Sequence, residues 1–281
     1  MSTQWESAPT DVSVPDPAAG LMEEMIPWDA ELFMRFREER ARPAADLIAR
    51  IDSNPRRISD LGCGVGVSTG QLAVRFPGAE IIGVDASTRM LAVARQRHPA
   101  IEFRKLDIAD WRPEPPPDLI FADNTLQWVA DHQRQFPRLM EYLAPGGVLA
   151  VQMPDNRHEP SHALMRLIAA DQPWADRLVP IAKTREVIAS HTDYYNWLRP
   201  LSSSLDIWQT TYVHPLAGVE AVVEWFRGSA LLPFLAPLTP GERDMFLARY
   251  RADLAEAYPV ESDGRLLFLY PRLFILAHKP G

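Results

Sequence analysis

Cysteine occurs once in the 281 residues, at Cys63. A disulfide within the chain is therefore excluded, and so is a metal site built on cysteine pairs. Lysine is almost absent: Lys105, Lys183 and Lys279 stand alone, and the other 26 of the 29 basic residues are arginine. Positive charge is in deficit, because 37 acidic residues leave a formal net charge of −8. That argues against nucleic acid as the main partner, since phosphate contacts need a basic face. No apolar run approaches the ~20 residues that span a bilayer. The N-terminus lacks the basic-then-apolar order of a signal peptide. A cytoplasmic protein that touches neither membrane nor nucleic acid is expected. No internal repeat is found.

What is present is a hydrophobic content of 47%, enough for one large domain or a domain with a sizeable insertion. Arginine in place of lysine suits carboxylate recognition through its planar donor fork, although genome composition produces the same bias.

The stretch that organises the chain is Arg56-Arg57-Ile58-Ser59-Asp60-Leu61-Gly62-Cys63-Gly64-Val65-Gly66-Val67-Ser68-Thr69. It predicts a short buried strand, a glycine turn and a helix start, with Ser68 or Thr69 placed to cap the helix. Glycines at 62, 64 and 66 let the backbone turn sharply and let a ligand approach closely. A dinucleotide fingerprint needs G-x-G-x-x-G. From Gly62 the third glycine falls on Val67, and from Gly64 on Thr69, so both registers fail. The stretch instead runs acidic-x-G-x-G-x-G from Asp60, which resembles the first motif of the class I methyltransferases that bind S-adenosylmethionine (SAM). A cofactor without a pyrophosphate asks the helix N-terminus only to receive a carboxylate. An acidic group at the strand end, Asp60, suits its ammonium and sulfonium charges. Cys63 reads as a small loop residue without redox work.

Ala79 to Asp85 predicts a second apolar strand ending in a carboxylate. Asp85 lies 23 residues after Gly62, about the offset at which an acidic residue accepts two ribose hydroxyls. On its own it indicates any adenosine. With Asp60 and the failed third glycine it indicates SAM. Ala86 and Met90 follow it into the next helix. A third strand from Ile101 ends at Asp107-Ile108, where an acidic residue can take the adenine amino group and an apolar one can pack the ring, unless Asp107 is only a loop carboxylate. A fourth strand, Asp118 to Ala122, leads to Asp123, Asn124 and Trp128, and ligands bind beyond such carboxyl ends. A helix over His132 to Tyr142 and a fifth strand over Val148 to Met153 complete the alternation, which calls for a parallel sheet covered on both faces.

The predicted organisation has four parts: a mobile extension over 1–25; a SAM-binding Rossmann-like core over 26–156 with N-terminal lid helices; a mostly helical cap over 157–265 containing one core strand near 204–213; and a final strand and tail over 266–281. Trp28 to Ile51 looks helical, through Leu32, Phe33, Phe36, Leu47, Ile48 and Ile51, with a break at Arg42-Pro43. Arg35, Arg37 and Arg40 on its first half form either a solvated face or a lid that offers an arginine to substrate. Pro271 inside the last strand marks a bulge or a place where the missing donor does no harm.

Beyond the glycine loop, several stretches together resemble the trans-aconitate 2-methyltransferase family. They are Glu39-Arg40-Ala41-Arg42-Pro43-Ala44, Leu126-Gln127-Trp128-Val129, Leu143 to Leu149, Gln152-Met153-Pro154-Asp155-Asn156, Asp206 to Tyr212 and Tyr270-Pro271-Arg272-Leu273-Phe274. The glycine loop departs from the family at Val65 and Val67. The resemblance implies an α/β class I methyltransferase fold, SAM as cofactor, and transfer of its methyl group to a carboxylate oxygen of a tricarboxylate. A carboxylate, with a reference pKa near 4, is ionised at neutral pH and needs no general base. No catalytic residue and no metal are expected. The remaining carboxylates need donors, and the candidates are Tyr194, Tyr195, Arg199, His214 and Arg227 from the cap, with Trp128 and Gln152 at the sheet edge. Arg199 and Arg227 read equally as surface ion pairs, His214 as a structural histidine, and cap aromatics as cap core. A different small acid or hydroxyl acceptor, a non-catalytic SAM-binding protein and an NAD-dependent oxidoreductase are the competing readings.

Overall fold

The structure, a computed structural model, describes residues 35–184 and 188–281. The expected extension over 1–25 and the start of the first helix, with Leu32 and Phe33, lie outside the described residues.

Helix α1 (Arg37–Ala49) runs unbroken through Pro43, where a break was expected. The ring is buried beside Ala44, Leu47 and Ile48, and that burial offsets the one hydrogen bond that proline removes. The alternating core follows: β1 (Arg57–Leu61), α2 (Val67–Arg75), β2 (Glu80–Asp85), α3 (Thr88–Arg97), β3 (Glu102–Lys105), β4 (Leu119–Asp123), α4 (His132–Tyr142) and β5 (Val148–Pro154). Then come α5 (Pro160–Ala169), α6 (Ala175–Thr184), α7 (His191–Leu198), β6 (Ser204–Leu216), α8 (Gly218–Arg227), the single turn α9 (Leu232–Leu235), α10 (Pro240–Ala257) and β7 (Leu266–His278). Four of these helices begin where the sequence supplies a cap, Asp131 serving α4 by accepting from the Arg134 amide. Ser87 caps α3, and Ser190 with Asp193 and Thr239 with Glu242 form capping boxes on α7 and α10.

The seven strands form one sheet in the order β3-β2-β1-β4-β5-β7-β6. The first five are mutually parallel, and β7 runs antiparallel between β5 and β6. Pro271 makes no bulge. It lies one residue past the last β5 pair, Pro154 with Arg272, and its carbonyl accepts from the Asp155 amide at 3.0 Å. A strand residue points its N and C=O to the same side, so the missing donor falls at the end of the β5 ladder, where no further strand bond is due.

Each sheet face has its own core. Leu47, Ile48, Leu72 and Phe76 from α1 and α2 pack on Ile58, Phe121, Ala150 and Phe274. On the other face Phe136, Leu139 and Met140 from α4 and Tyr194 and Leu198 from α7 pack on Ile120, Val151 and Ile275. A third core joins α5, α6, α8, α9 and α10 to the outer halves of β6 and β7 through Trp225, Phe226, Phe246, Tyr250, Phe268 and Tyr270. This helical layer stands beside the carboxyl ends of the parallel strands, because β5 leads into α5 there.

Candidate active site

Strand order fixes where a ligand can enter. β2 lies on one side of β1 and β4 on the other, so a crevice opens beyond their carboxyl ends. The chain leaving β1 takes left-handed conformations at Gly62, Gly64 and Gly66, with φ of 69°, 54° and 80°, which side-chain-bearing residues adopt only at a cost. The amides of Gly62 and Cys63 donate to the Val84 carbonyl at 2.7 and 3.0 Å. A Cβ on Gly62 would overlap the Thr125 side chain, so the loop rests directly on the turn after β4.

Asp85 ends β2. Its Oδ2 accepts from the Gly64 amide at 2.9 Å and its Oδ1 from the Ser87 amide at 2.8 Å. The carboxylate is thereby fixed between the glycine loop and α3. These strand ends enclose an open-mouthed cleft of about 1480 Å³. The glycine loop and Asp85 with Ala86 form one wall. Met90 and Ile108 are buried apolar parts of the lining, with Asp107 beside them. Asp107 accepts from the Ala109 amide at 2.8 Å through Oδ1. Asp123, Asn124 and Trp128 close the far end. The Cys63 thiol is buried and held protonated, first by that burial and then by Asp60 and Asp85.

Asp60 does not line the cleft. It is fully buried behind the loop, and its Oδ2 accepts from Ser68 Oγ at 2.9 Å and Thr69 Oγ1 at 2.6 Å. The two hydroxyls expected to cap α2 are therefore spent on Asp60, inside the helix, and Gly66 takes the N-cap position without a side-chain bond. Burial pushes the Asp60 carboxyl up to about 7, against the two hydroxyl bonds. Its role is to tie β1 to α2 under the loop. The carboxylates on the cleft wall are instead Asp85, Asp107 and Asp123.

Asp123 belongs to a buried polar network. Gln152 Nε2 donates to Asp123 Oδ1 at 2.6 Å. Arg272, on β7, donates from Nη1 to Gln152 Oε1 at 3.0 Å and to Asn124 Oδ1 at 2.9 Å. Its guanidinium also lies 4.4 Å from the Tyr270 ring centre, a cation–π contact. Arg272 is 3% exposed. Asn124 sits in the left-handed region at φ 53°, where asparagine is among the residues tolerated. Burial raises Asp123 to about 6, opposed by the Arg272 charge and the Gln152 bond.

A second chamber, open to solvent, adjoins the first and shares Arg40, Asn124 and Trp128 with it. Its wall also carries Asn156, Arg157, His162, Arg166 and Tyr270. Arg40 donates from Nη2 to the Trp225 carbonyl at 2.9 Å and stacks 4.7 Å from the Trp225 ring. Burial lowers its pKa to about 10, so it remains a cation at neutral pH.

A family model described as a methyltransferase domain matches residues 58–147, which hold β1 to β4 and the loops just described and end just before β5. A trans-aconitate 2-methyltransferase of Methylobacterium nodulans is 53% identical over 256 residues, which is 91% of this chain and 99% of the relative. Proteins of the same name from Paracidovorax citrulli and Yersinia pestis are 50% and 49% identical, over 91% and 90% of this chain and 99% of each relative. The chain belongs to the trans-aconitate 2-methyltransferase family.

Two solved structures show the fold more widely. A phosphoethanolamine N-methyltransferase 2 of Haemonchus contortus, in complex with S-adenosylhomocysteine and phosphomonomethylethanolamine, is 19% identical with a TM-score of 0.53 over 85% of this chain. This chain spans 53% of that one. The YcgJ protein of Bacillus subtilis is 13% identical with a TM-score of 0.53, over 85% of this chain and 99% of its own. The seven-stranded sheet with its antiparallel β7 is the Rossmann-like fold of class I methyltransferases.

In this member of the trans-aconitate 2-methyltransferase family, all the residues expected at the cofactor lie on the first cleft except Asp60. The expected acceptor residues are mostly elsewhere. Trp128 lines both chambers. Gln152 is fully buried beneath them, between Asp123 and Arg272. Tyr194 belongs to the core: its hydroxyl meets His132 Nδ1 at 2.6 Å, and its ring packs on Phe136. Tyr195, the next residue on α7, is left half exposed outside the chamber. Arg199 donates to the Ser202 carbonyl at 2.7 Å and closes the turn after α7. His214 is buried against Tyr212 and Trp225, and burial, with Arg42, Arg272 and Arg40 nearby, drives its pKa down to about 4. Arg227 is exposed, because Val222, Val223, Trp225 and Phe226 take the inner face of α8.

Arg157, Arg166, His162 and Arg272 were not among the candidates. The signal for Arg272 was its place inside an apolar strand, Leu266 to His278, where a charge must have a partner or a purpose. Arg40 was foreseen only as the lid alternative. Among the described residues no cluster of His, Cys, Asp and Glu is placed to hold a metal ion. None of the described helices is long and apolar enough to cross a membrane.

Proposed function

We propose that this chain transfers the methyl group of SAM to a carboxylate oxygen of trans-aconitate, releasing a monomethyl ester and S-adenosylhomocysteine. The observation that carries the proposal is the junction of two chambers, one walled by a glycine loop and strand-end carboxylates and one walled by arginines. The names of relatives about half identical over nearly their whole length support the acceptor.

The first cleft fits SAM on features of the chain itself. Gly62 leaves no room for a side chain, and a Cβ on Gly64 would meet nothing within 4 Å, so the loop presents bare backbone. Asp85, fixed by two amides, suits the ribose hydroxyls. Met90 and Ile108 suit a flat ring, and Asp107 suits its amino group. Asp123 suits a cationic centre. When bound, SAM supplies an electrophilic methyl group on a sulfonium whose departure leaves a neutral thioether.

The protein's own work is alignment and exclusion of water. The acceptor carboxylate is already ionised, so no side chain has to remove a proton. Arg40, Asn124 and Trp128 occupy the junction at which the two ligands must meet. Arg40 counters the acceptor's charge there, and Arg272 and Gln152 hold Asn124 and Asp123 in place from below.

The pH dependence of kcat separates carboxyl from hydroxyl transfer. For a carboxylate acceptor kcat is level between pH 7 and 9, whereas a tenfold rise per pH unit would reveal a general base and a hydroxyl acceptor.

A further inference from the structure

The second chamber carries more positive charge than the junction uses. Arg157 and Arg166 both line it, beside Arg40. Among the described residues neither makes an ion pair with a carboxylate. Arg166 Nη2 instead donates to the Arg157 carbonyl at 2.7 Å, which fixes α5 against the turn after β5. The two half-buried guanidinium groups repel, since the Arg166 pKa is lowered first by burial and then by the Arg157 charge. Asp155, the carboxylate on the same wall, lies 3.8 Å from His191 Nε2 and pairs with neither arginine. An anion between the two guanidinium groups removes that repulsion.

A second observation points the same way. Asn156 is 7% exposed and lines the same wall. Its Nδ2 has no hydrogen-bond partner among the described residues. A buried amide donor without an acceptor is costly, and such groups in folded proteins normally meet a partner. An asparagine donor next to two guanidinium forks is the donor set for carboxylate oxygens.

The geometry points to a carboxylate clamp. We propose that Asn156, Arg157 and Arg166 hold the carboxylates of the acceptor that do not react, and that this clamp sets the preference for a tricarboxylate over a dicarboxylate. The proposal rests on the carboxyl-transfer function stated above. Because the reacting carboxylate belongs at the junction with Asn124 and Trp128, the others extend toward α5, where the unneutralised charge lies.

The test uses the full-length protein with trans-aconitate and the three dicarboxylates that each lack one of its carboxyl groups: mesaconate, glutaconate and itaconate. Variants are Arg157→Gln, Arg166→Gln and Asn156→Ala, with Arg166→Lys as the conservative control. Each glutamine variant is expected to lower kcat/KM for trans-aconitate by roughly 10- to 150-fold, the loss of a hydrogen bond to a charged group. The effect should fall on KM, with SAM affinity by calorimetry within twofold of the wild type. Activity on at least one dicarboxylate should change much less, so the selectivity ratio collapses, and Arg166→Lys should recover part of it. Equal losses on all four acceptors, or none, would overturn the clamp while leaving the function intact. Wild-type protein that binds SAM yet methylates none of the four overturns the function, and the clamp with it.

Discussion

Replacing Arg272 by methionine tests the buried network that joins the two chambers. The side chain is 3% exposed and bonds two amide oxygens, Asn124 Oδ1 at 2.9 Å and Gln152 Oε1 at 3.0 Å. Methionine fills most of the volume but donates nothing, so Gln152 Oε1 stays buried and unserved, while the half-buried Asn124 Oδ1 keeps only its 3.2 Å bond from Gln127 Nε2. Each hydrogen bond to a charged group contributes about 1.5–3 kcal/mol. Part of the loss is offset, because a buried charge with no carboxylate ion pair among the described residues no longer has to be desolvated. A net destabilisation of about 3 kcal/mol follows. For a chain of this size that lowers Tm by about 6–12 °C. Scanning calorimetry, with urea titration as a second measure, reads it directly. Arg272→Lys keeps the charge and one bond and should fall between the two. The variant should also weaken SAM binding at neutral pH, because Arg272 is the charge that draws Asp123 down toward ionisation. A methionine variant that melts within 2 °C of the wild type and binds SAM equally well would refute the network's role.

Two further outcomes follow from the cleft. Gly62→Ala must place a methyl group on the Thr125 side chain and hold φ at 69°. The strain of roughly 1–2 kcal/mol from the backbone alone, plus the displaced turn, should weaken SAM binding by more than tenfold in calorimetry, while Gly64→Ala, with open space for its Cβ, should do less. Asp123, raised to about 6 by burial, is ionised above that value and neutral below it. SAM affinity should therefore fall about tenfold between pH 7.5 and 5. S-adenosylhomocysteine, which lacks the sulfonium, should respond less. Asp60, near 7 and coupled to Asp123, titrates in the same window, so Asp123→Asn is the control that must flatten the profile.

The centre of the sheet was legible in the sequence because β1, β2 and β4 are short apolar runs that end at a glycine or a carboxylate. The spacing of Asp60, the glycines and Asp85 set the cleft. Misreadings came where tertiary context decides. Pro43 does not break α1, because its ring is buried, and Ser68 and Thr69 do not cap α2, because a buried Asp60 claims both hydroxyls. Asp60 and Asp123 share a residue type and a place at a strand end. Only the packing of α2 under the loop reveals which of them faces the cleft. The acceptor chamber was least legible. Its arginines come from α1, the turn after β5 and α5, and residue type alone cannot separate them from Arg199, which closes a turn, or Arg227, which is exposed. Tyr194 looked like a donor from the cap, and its hydroxyl is instead consumed by His132 inside the core.

The central claim is tested most directly by methyl transfer from labelled SAM to trans-aconitate, with cis-aconitate, citrate and isocitrate in parallel. The account predicts rapid transfer to trans-aconitate, little to the other three, and label released by mild base, as a carboxyl ester requires. No transfer to trans-aconitate from protein that binds SAM, or label that resists base, would contradict it.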